Sequence, residues 1–545
     1  MSDLSVENDL FFIGFGTENR PLTAELAGSK AANLWEMAKL GLMVPPAFVV
    51  STRLCKPTNA SDTCAKELLA SILSKGIVEL ERATGRRFGD SRLPLLVSVR
   101  SGAARSMPGM LDTILNAGMT SKTVHGLIRL TGNPRLAWDS YRRFVQAYAE
   151  VAGHSSGEPF SAKLADMIRT EGVANEAELD PEALERLTAV FLEEAATVLG
   201  ELVPDNPNVQ LEAAARAVFR SWETPKAGEY RRLNGLEGLP GTAITVQAMV
   251  FGNSGGRSGA GVAFTRNPAT GAKEPYIDFL FDAQGEDVVS GRRMSSNPEY
   301  FRERLPEAAN ALTDGSARLE RHFCDAQDIE FTVENGALYF LQTRPAKRTP
   351  RAALRILIDL VREGLIDESE GAKRAAGIDL EAAAITRFEG NATPIAAGVP
   401  ASTGVASGRA VFTSARTVEL TSNGAGPMIL IRPDTSTDDV AGFAVSAGIL
   451  TAIGGRTAHA AVVARQLGKA CVVGCPGLAV DASARTATIA GKILNEGDWV
   501  SLDGETGEVY LGERRIVVDR PDEEIREIRH WRSRRAAREK HGRKD

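Results

Sequence analysis

The stretch Gly454-Gly-Arg-Thr-Ala-His-Ala-Ala-Val-Val-Ala-Arg-Gln-Leu-Gly468 restricts this chain more than any other. Gly448 to Ile453 precedes it and Ala470 to Val473 follows it, and each short apolar run reads as a buried strand. Two glycines then lead into His459 and a run of small apolar residues, so His459 is expected where a glycine loop becomes a helix. The first amides of a helix have no partner inside it, and the positive end of its dipole lies there. An anion carried by His459, such as a phosphoryl group, is stabilised at that place. Imidazole is also a competent nucleophile near neutrality. A loop histidine can equally cap or pack, so the rest of the chain must decide between the two.

With 545 residues the chain has room for about three or four domains. A net charge of −6 does not mark a nucleic-acid binder. The five cysteines (55, 64, 324, 471 and 475) are few and irregularly spaced, and Cys471 and Cys475 lack the second pair of a zinc site. Reduced thiols in a cytoplasmic enzyme are expected. No apolar run approaches the ~18–20 residues of a membrane span, and MSDLSVENDL lacks a signal-peptide core.

Earlier in the chain, Ser29 is placed to cap a helix from Lys30 to Leu40, ended by Gly41. A cation at a helix start is unfavourable, and Lys30 makes sense there if an anionic ligand sits beside it. Leu93 to Val99 reads as a buried strand running into a loop, Arg100 to Met110, rich in glycine and hydroxyls (Ser101, Gly102, Ser106, Gly109). Such a loop can lie over phosphates while Arg100 contacts them bidentately. It is not a GxxxxGK[ST] loop. From about 121 to 235 the pattern is helical, with Tyr141, Phe144, Val145 and Tyr148 on one face and Asp180-Pro181 opening a later helix. Strands are expected over Gly241 to Phe251, Val262 to Thr265 and Tyr276 to Phe279, with residues 252–261 as a glycine-rich hairpin and Glu286 just past a strand end.

Asp328 to Arg344 reads as two strands joined by an Asn335-Gly336 turn. Asp328 and Glu330 share a face of the first, and Gln342 and Arg344 share a face of the second. A phosphate-bound Mg²⁺ takes oxygen ligands, usually with only one or two protein carboxylates. Glu330 and Gln342 offer such oxygens, and Arg344 a charge for phosphate. Residues 349–390 read as a helical linker, 391–512 as a compact β-rich unit, and 513–545 as a basic C-terminal linker helix whose charge order suits its dipole.

GSKAANL, PLLVSVRSGAARSMPGMLDTILN, WDSYRRFVQ, AVFRSW, QGEDVVSG, DAQDIEF, LYFLQTR and the GG-x-T-x-H around His459 together resemble the pyruvate, phosphate dikinase family, in the same order along nearly the whole chain. The resemblance implies an α+β multidomain fold: an ATP-grasp nucleotide-binding domain over residues 1–348 with a helical insert, then a swivelling phosphohistidine domain. It implies that Lys30 and Arg100 bind nucleotide phosphates, that Glu330 and Gln342 contact metal or phosphate, that Asp328 and Arg344 are catalytic-site residues, and that Glu286 lies near the nucleotide. It makes His459 the phosphoryl carrier, with Mg²⁺, ATP and inorganic phosphate consumed and AMP and pyrophosphate formed. Thr457 matches a position phosphorylated by a regulatory protein in some members. Arg456 departs from the Met of many dikinases and is more like phosphoenolpyruvate synthase, which uses water instead of phosphate. The family's pyruvate-binding barrel is not found before Asp545, so transfer to pyruvate is expected to need a separate chain. A different acceptor and a non-catalytic ATP-binding regulator are the alternative readings.

Overall fold

The alternation of short all-buried strands with capped amphipathic helices gives a mixed α/β chain of more than one domain. The computed structural model describes residues 4–541 apart from 17–19, 60–61, 106, 108–112, 154, 291–297, 435–438 and 456–457. Cα packing divides the chain into two units, residues 1–254 with 339–343 and residues 255–338 with 344–545.

In the first unit β1 (Leu10–Ile13), β2 (Ala47–Val50), β3 (Val97–Gly102), β4 (Thr113–Ala117) and β5 (Ala243–Ala248) form an antiparallel sheet in the order β1-β2-β5-β3-β4. Every side chain of β2 and β5 is buried. Helix α1 (Ala24–Lys39) is broken at Gly28, which has φ +77°. Ser29 therefore does not cap: its hydroxyl and amide both donate to the Ala103 carbonyl, at 3.3 and 2.9 Å. Helix α2 (Thr63–Thr84) is capped by Asp62, ends at Gly85 and buries Leu69, Ile72, Leu73 and Leu80. Residues 123–233 are helical, as expected, and include α3 (Pro134–Gly153), α4 (Pro181–Leu199) and α5 (Pro207–Ser221). Asp180 caps α4 with Pro181 at its first position, and the aromatic face of α3 is core.

In the second unit β6 (Gly259–Phe264) pairs antiparallel with β7 (Tyr276–Phe281) on one side and β8 (Gln327–Glu334) on the other. The expected glycine-rich hairpin is wrong at its end, because Gly259 and Gly261 lie inside β6. A Cβ at Gly259 would meet the Phe279 ring at 2.2 Å, and one at Gly261 the Phe331 ring at 2.4 Å. These two rings stack at 5.8 Å, so the glycines make room for aromatic cover. Asn335 and Gly336 both have positive φ and turn the chain from β8 into β9 (Ala337–Pro345).

Helix α6 (Pro306–Phe323) packs near β8, and α7 (Pro350–Arg362) and α8 (Glu368–Ala375) follow. The linker is not helical to residue 390: β10 (Ile385–Phe388) closes it. Next comes an eight-stranded mixed sheet built from β11 (Ala396–Ala397), β12 (Val399–Ser402), β13 (Val405–Val411), β14 (Met428–Arg432), β15 (Gly448–Thr451), β16 (Ala470–Val473), β17 (Trp499–Asp503) and β18 (Glu508–Leu511). Its order is β11-β18-β17-β13-β14-β15-β16-β12, with β13 to β16 parallel. Helix α9 (His459–Leu467) is the crossover between β15 and β16, and Gly468 ends it at φ +63°. The tail also departs from expectation. Strand β19 (Ile516–Asp519) pairs with β10 before α10 (Asp522–His541) begins. Ile525, Ile528 and Trp531 of α10 share a core with Leu354, Leu357 and Ile358 of α7 and with Ala372 and Ala375 of α8. Among the described residues no helix is long and apolar enough to cross a membrane.

Candidate functional site

Lys30, Arg100, Ser101 and Gln342 come from three distant stretches and line one cleft of the first unit, together with Leu34, Thr245 and Gln247. The kink at Gly28 puts Lys30 there. A Cβ at Gly28 would fall 2.3 Å from the Gly102 backbone, so two glycines allow the turn before Lys30 to rest on the end of β3. Gly102 is held in turn by Thr242, whose hydroxyl accepts its amide at 3.1 Å. Arg100, Ser101 and Gly102 are thus strand residues rather than loop, in register with Thr245, Ile244 and Ala243 of β5. The Asn33 amide donates to the Thr343 carbonyl at 2.8 Å, fixing the strand that carries Gln342. Lys30 is exposed, Arg100 partly exposed and Gln342 buried. Two cations facing polar groups at a walled opening suit a polyanion. Thr245 and Gln247 were missed from sequence, although they are the polar pair two apart in an otherwise apolar strand. Ser106 and Gly109 lie outside the described residues.

In the second unit Asp328 and Arg344 come together: Arg344 Nε donates to Asp328 Oδ2 at 2.8 Å, and Asp328 is 5% exposed. Asp328 Oδ1 is buried with no hydrogen-bond partner among the described residues. Burial raises the carboxyl's pKa above its ordinary value, the Arg344 charge opposes this, and the negative Glu330 adds to it. Glu330 lies two residues on along the same face. Glu286 lies in the short helix Gly285–Ser290, and its side chain is outside the described residues.

His459 is the first residue of α9, which follows the parallel strand β15 after residues 452–458, and a helix start at His459 is what the sequence led one to expect. In parallel sheets ligands gather at the C-terminal ends of the strands. Ala458 is the N-cap, and among the described residues no side chain caps the helix. The His459 side chain and Thr457 lie outside the described residues.

Arg266 was also missed. It is fully buried at the end of β6 and bound to Glu320 at 2.7 Å, Glu363 at 3.1 Å and Asp359 at 3.3 Å. It ties the sheet to α6 and α7 and is structural.

Residues 59–306 and 302–364 match the family model for the pyruvate phosphate dikinase AMP/ATP-binding domain. The chain belongs to this family. Residues 424–507, which contain α9, match the mobile domain of PEP-utilising enzymes. Among curated relatives, pyruvate, phosphate dikinase 2 of Zea mays is 43% identical over 510 residues, covering 93% of this chain and 58% of the relative. Pyruvate, phosphate dikinase of Clostridium symbiosum is 43% identical over 496 residues, covering 90% and 56%. The chain therefore spans less than two thirds of the length of these dikinases.

Proposed function

We propose that this chain is the nucleotide-binding and phosphohistidine-carrying part of a pyruvate, phosphate dikinase-type phosphotransferase. The observation that carries the reading is the convergence of Lys30, Arg100, Ser101 and Gln342 on one cleft in a chain of an AMP/ATP-binding family. In this reading residues 1–348 are an ATP-grasp domain with a helical insert, and 391–512 are a swivelling domain carrying His459. Lys30 and Arg100 neutralise the nucleotide's phosphates, with backbone and hydroxyl help from Ser101 and Gly102, and Ser106 and Gly109 add further donors. Gln342 contacts phosphate or metal with its amide. His459 takes up a phosphoryl group at the start of α9, where the positive end of the helix dipole favours its charge. Positioning and charge neutralisation supply most of the catalysis in such a transfer.

The residues fit Mg²⁺. The buried Asp328 Oδ1, without a hydrogen-bond partner among the described residues, is an oxygen suited to a cation, and Glu330 is beside it. An ion that arrives on ATP needs few protein carboxylates. When bound, the ion would screen the phosphate charges. Glu330 and Gln342 would offer it oxygens, while Arg344 orients the neighbouring Asp328 through their ion pair. The products are AMP and pyrophosphate when inorganic phosphate is the second acceptor. Onward transfer of the phosphoryl group to pyruvate, giving phosphoenolpyruvate, completes the proposed reaction. Measuring AMP release from Mg-ATP with and without added phosphate tests this. Release that depends on phosphate supports the dikinase chemistry, release without it points to water as co-substrate, and no release defeats the phosphotransfer reading.

A further inference from the structure

Strand register gathers acidic residues on one face of the β6–β8 sheet. Asp328 on β8 lies opposite Phe264 on β6, and Phe264 lies opposite Tyr276 on β7. One row further, Glu330, Val262 and Asp278 are opposite one another. Residues paired across strands or two apart along a strand share a face, so Tyr276, Asp278, Asp328 and Glu330 all belong to one. Tyr276, Asp278 and Asp328 are 7%, 2% and 5% exposed.

The cover includes β12 and α9. Tyr276 Oη donates to the Pro400 carbonyl at 3.0 Å. The next carbonyl, Ala401, accepts from Arg465 Nη1 at 2.8 Å. Arg465 lies six residues after His459 on α9 and is only 4% exposed. Burial lowers its pKa, and the charges of Asp278 and Asp328 together with the Tyr276 phenol work against that loss.

We propose that Tyr276 latches β12 through the Pro400 carbonyl while Arg465 braces that strand at Ala401, so that together they dock the phosphohistidine region on the β6–β8 sheet, making Arg465 a positioning residue for phosphoryl transfer to His459. The proposal rests on the phosphohistidine reading above. Burying an arginine opposite carboxylates gives register but little net affinity, because desolvation offsets most of the attraction. A contact that must form and break in every cycle needs that balance, and an apolar interface of the same area would hold too tightly.

The test uses the full chain with Tyr276→Phe, Arg465→Gln and Arg465→Lys. Tyr276→Phe deletes only the hydroxyl and keeps the ring that packs on Phe264. Two readouts are taken: hydrogen exchange of peptides covering Tyr276–Phe281 without nucleotide, and single-turnover labelling of His459 against ATP concentration. Tyr276→Phe and Arg465→Gln are expected to raise exchange in that strand. They should also slow labelling at saturating ATP by about tenfold, the loss of one hydrogen bond to a buried carbonyl, with half-saturating ATP unchanged. Arg465→Lys should recover part of the rate. Wild-type exchange and labelling in Tyr276→Phe would overturn the latch, as would an Arg465→Gln defect that appears only as a lower melting temperature. If the wild-type chain does not label His459, the functional reading fails, and the exchange measurement alone still decides the latch.

Discussion

At the scale of single residues, the strongest claims concern cations. Lys30→Ala and Arg100→Ala should each weaken ATP binding by about 10- to 100-fold, the worth of a charge-assisted hydrogen bond at 1.5–3 kcal/mol. Equilibrium titration with ATP checks this, and an unchanged affinity in both variants would remove the cleft from the account. Arg266→Ala should instead cost about 3–5 kcal/mol of stability, because it strands the buried Glu320 carboxylate. Chemical denaturation reads that loss. These two kinds of arginine were not equally legible. Arg100 announces itself by following an apolar strand and opening a glycine- and hydroxyl-rich run. Arg266 gives no local sign, because its partners lie 54, 93 and 97 residues further on. Asp328 and Arg344 were legible as members of alternating faces, but their mutual pairing needed the structure.

At the scale of elements, glycines decide what the periodic pattern leaves open. Helix α1 looked like a helix starting at Lys30, yet it starts at Ala24 and breaks at Gly28, because Gly102 touches that point. Gly28→Ala combines a positive φ with a backbone clash. It should lose about 2 kcal/mol or more and weaken ATP binding as well, since Lys30 follows the kink; melting and titration together test the link. The same logic hid the start of β6, where Gly259 and Gly261 look like loop but pack under phenylalanine rings. In the helical segment the buried Asp139 of α3 carries a pH prediction. Burial alone would raise its carboxyl pKa, but Arg143 at 2.9 Å and Arg142 beside it hold it well below the ordinary value. A depressed folded-state pKa contributes stability above the unfolded value of about 3.9, and that stability is lost as pH falls through the folded value. Asp139→Asn should therefore destabilise the chain at neutral pH and flatten the acid limb of its stability curve. An unchanged acid limb would show that the pair contributes nothing.

At the scale of the molecule, the order of parts was readable from the chain: a sheet with a helical segment, a second sheet, and a β-rich unit around His459. What was not readable is how the connectors meet. Residues 349–390 and 513–545 each looked like an independent helical linker. In the second unit they pair as the β10–β19 ribbon and share the α7, α8 and α10 core. Such contacts join segments more than a hundred residues apart, which no local periodicity can report. The region between the ribbon's strands is the one proposed to carry the phosphoryl group. That carrier role is the centre of the account, and mass analysis of the peptide around His459 tests it most directly. After incubation with Mg-ATP and phosphate, the account predicts an acid-labile phosphoryl group on His459 and none in His459→Asn. A wild-type peptide that stays unmodified while the chain binds ATP would contradict it.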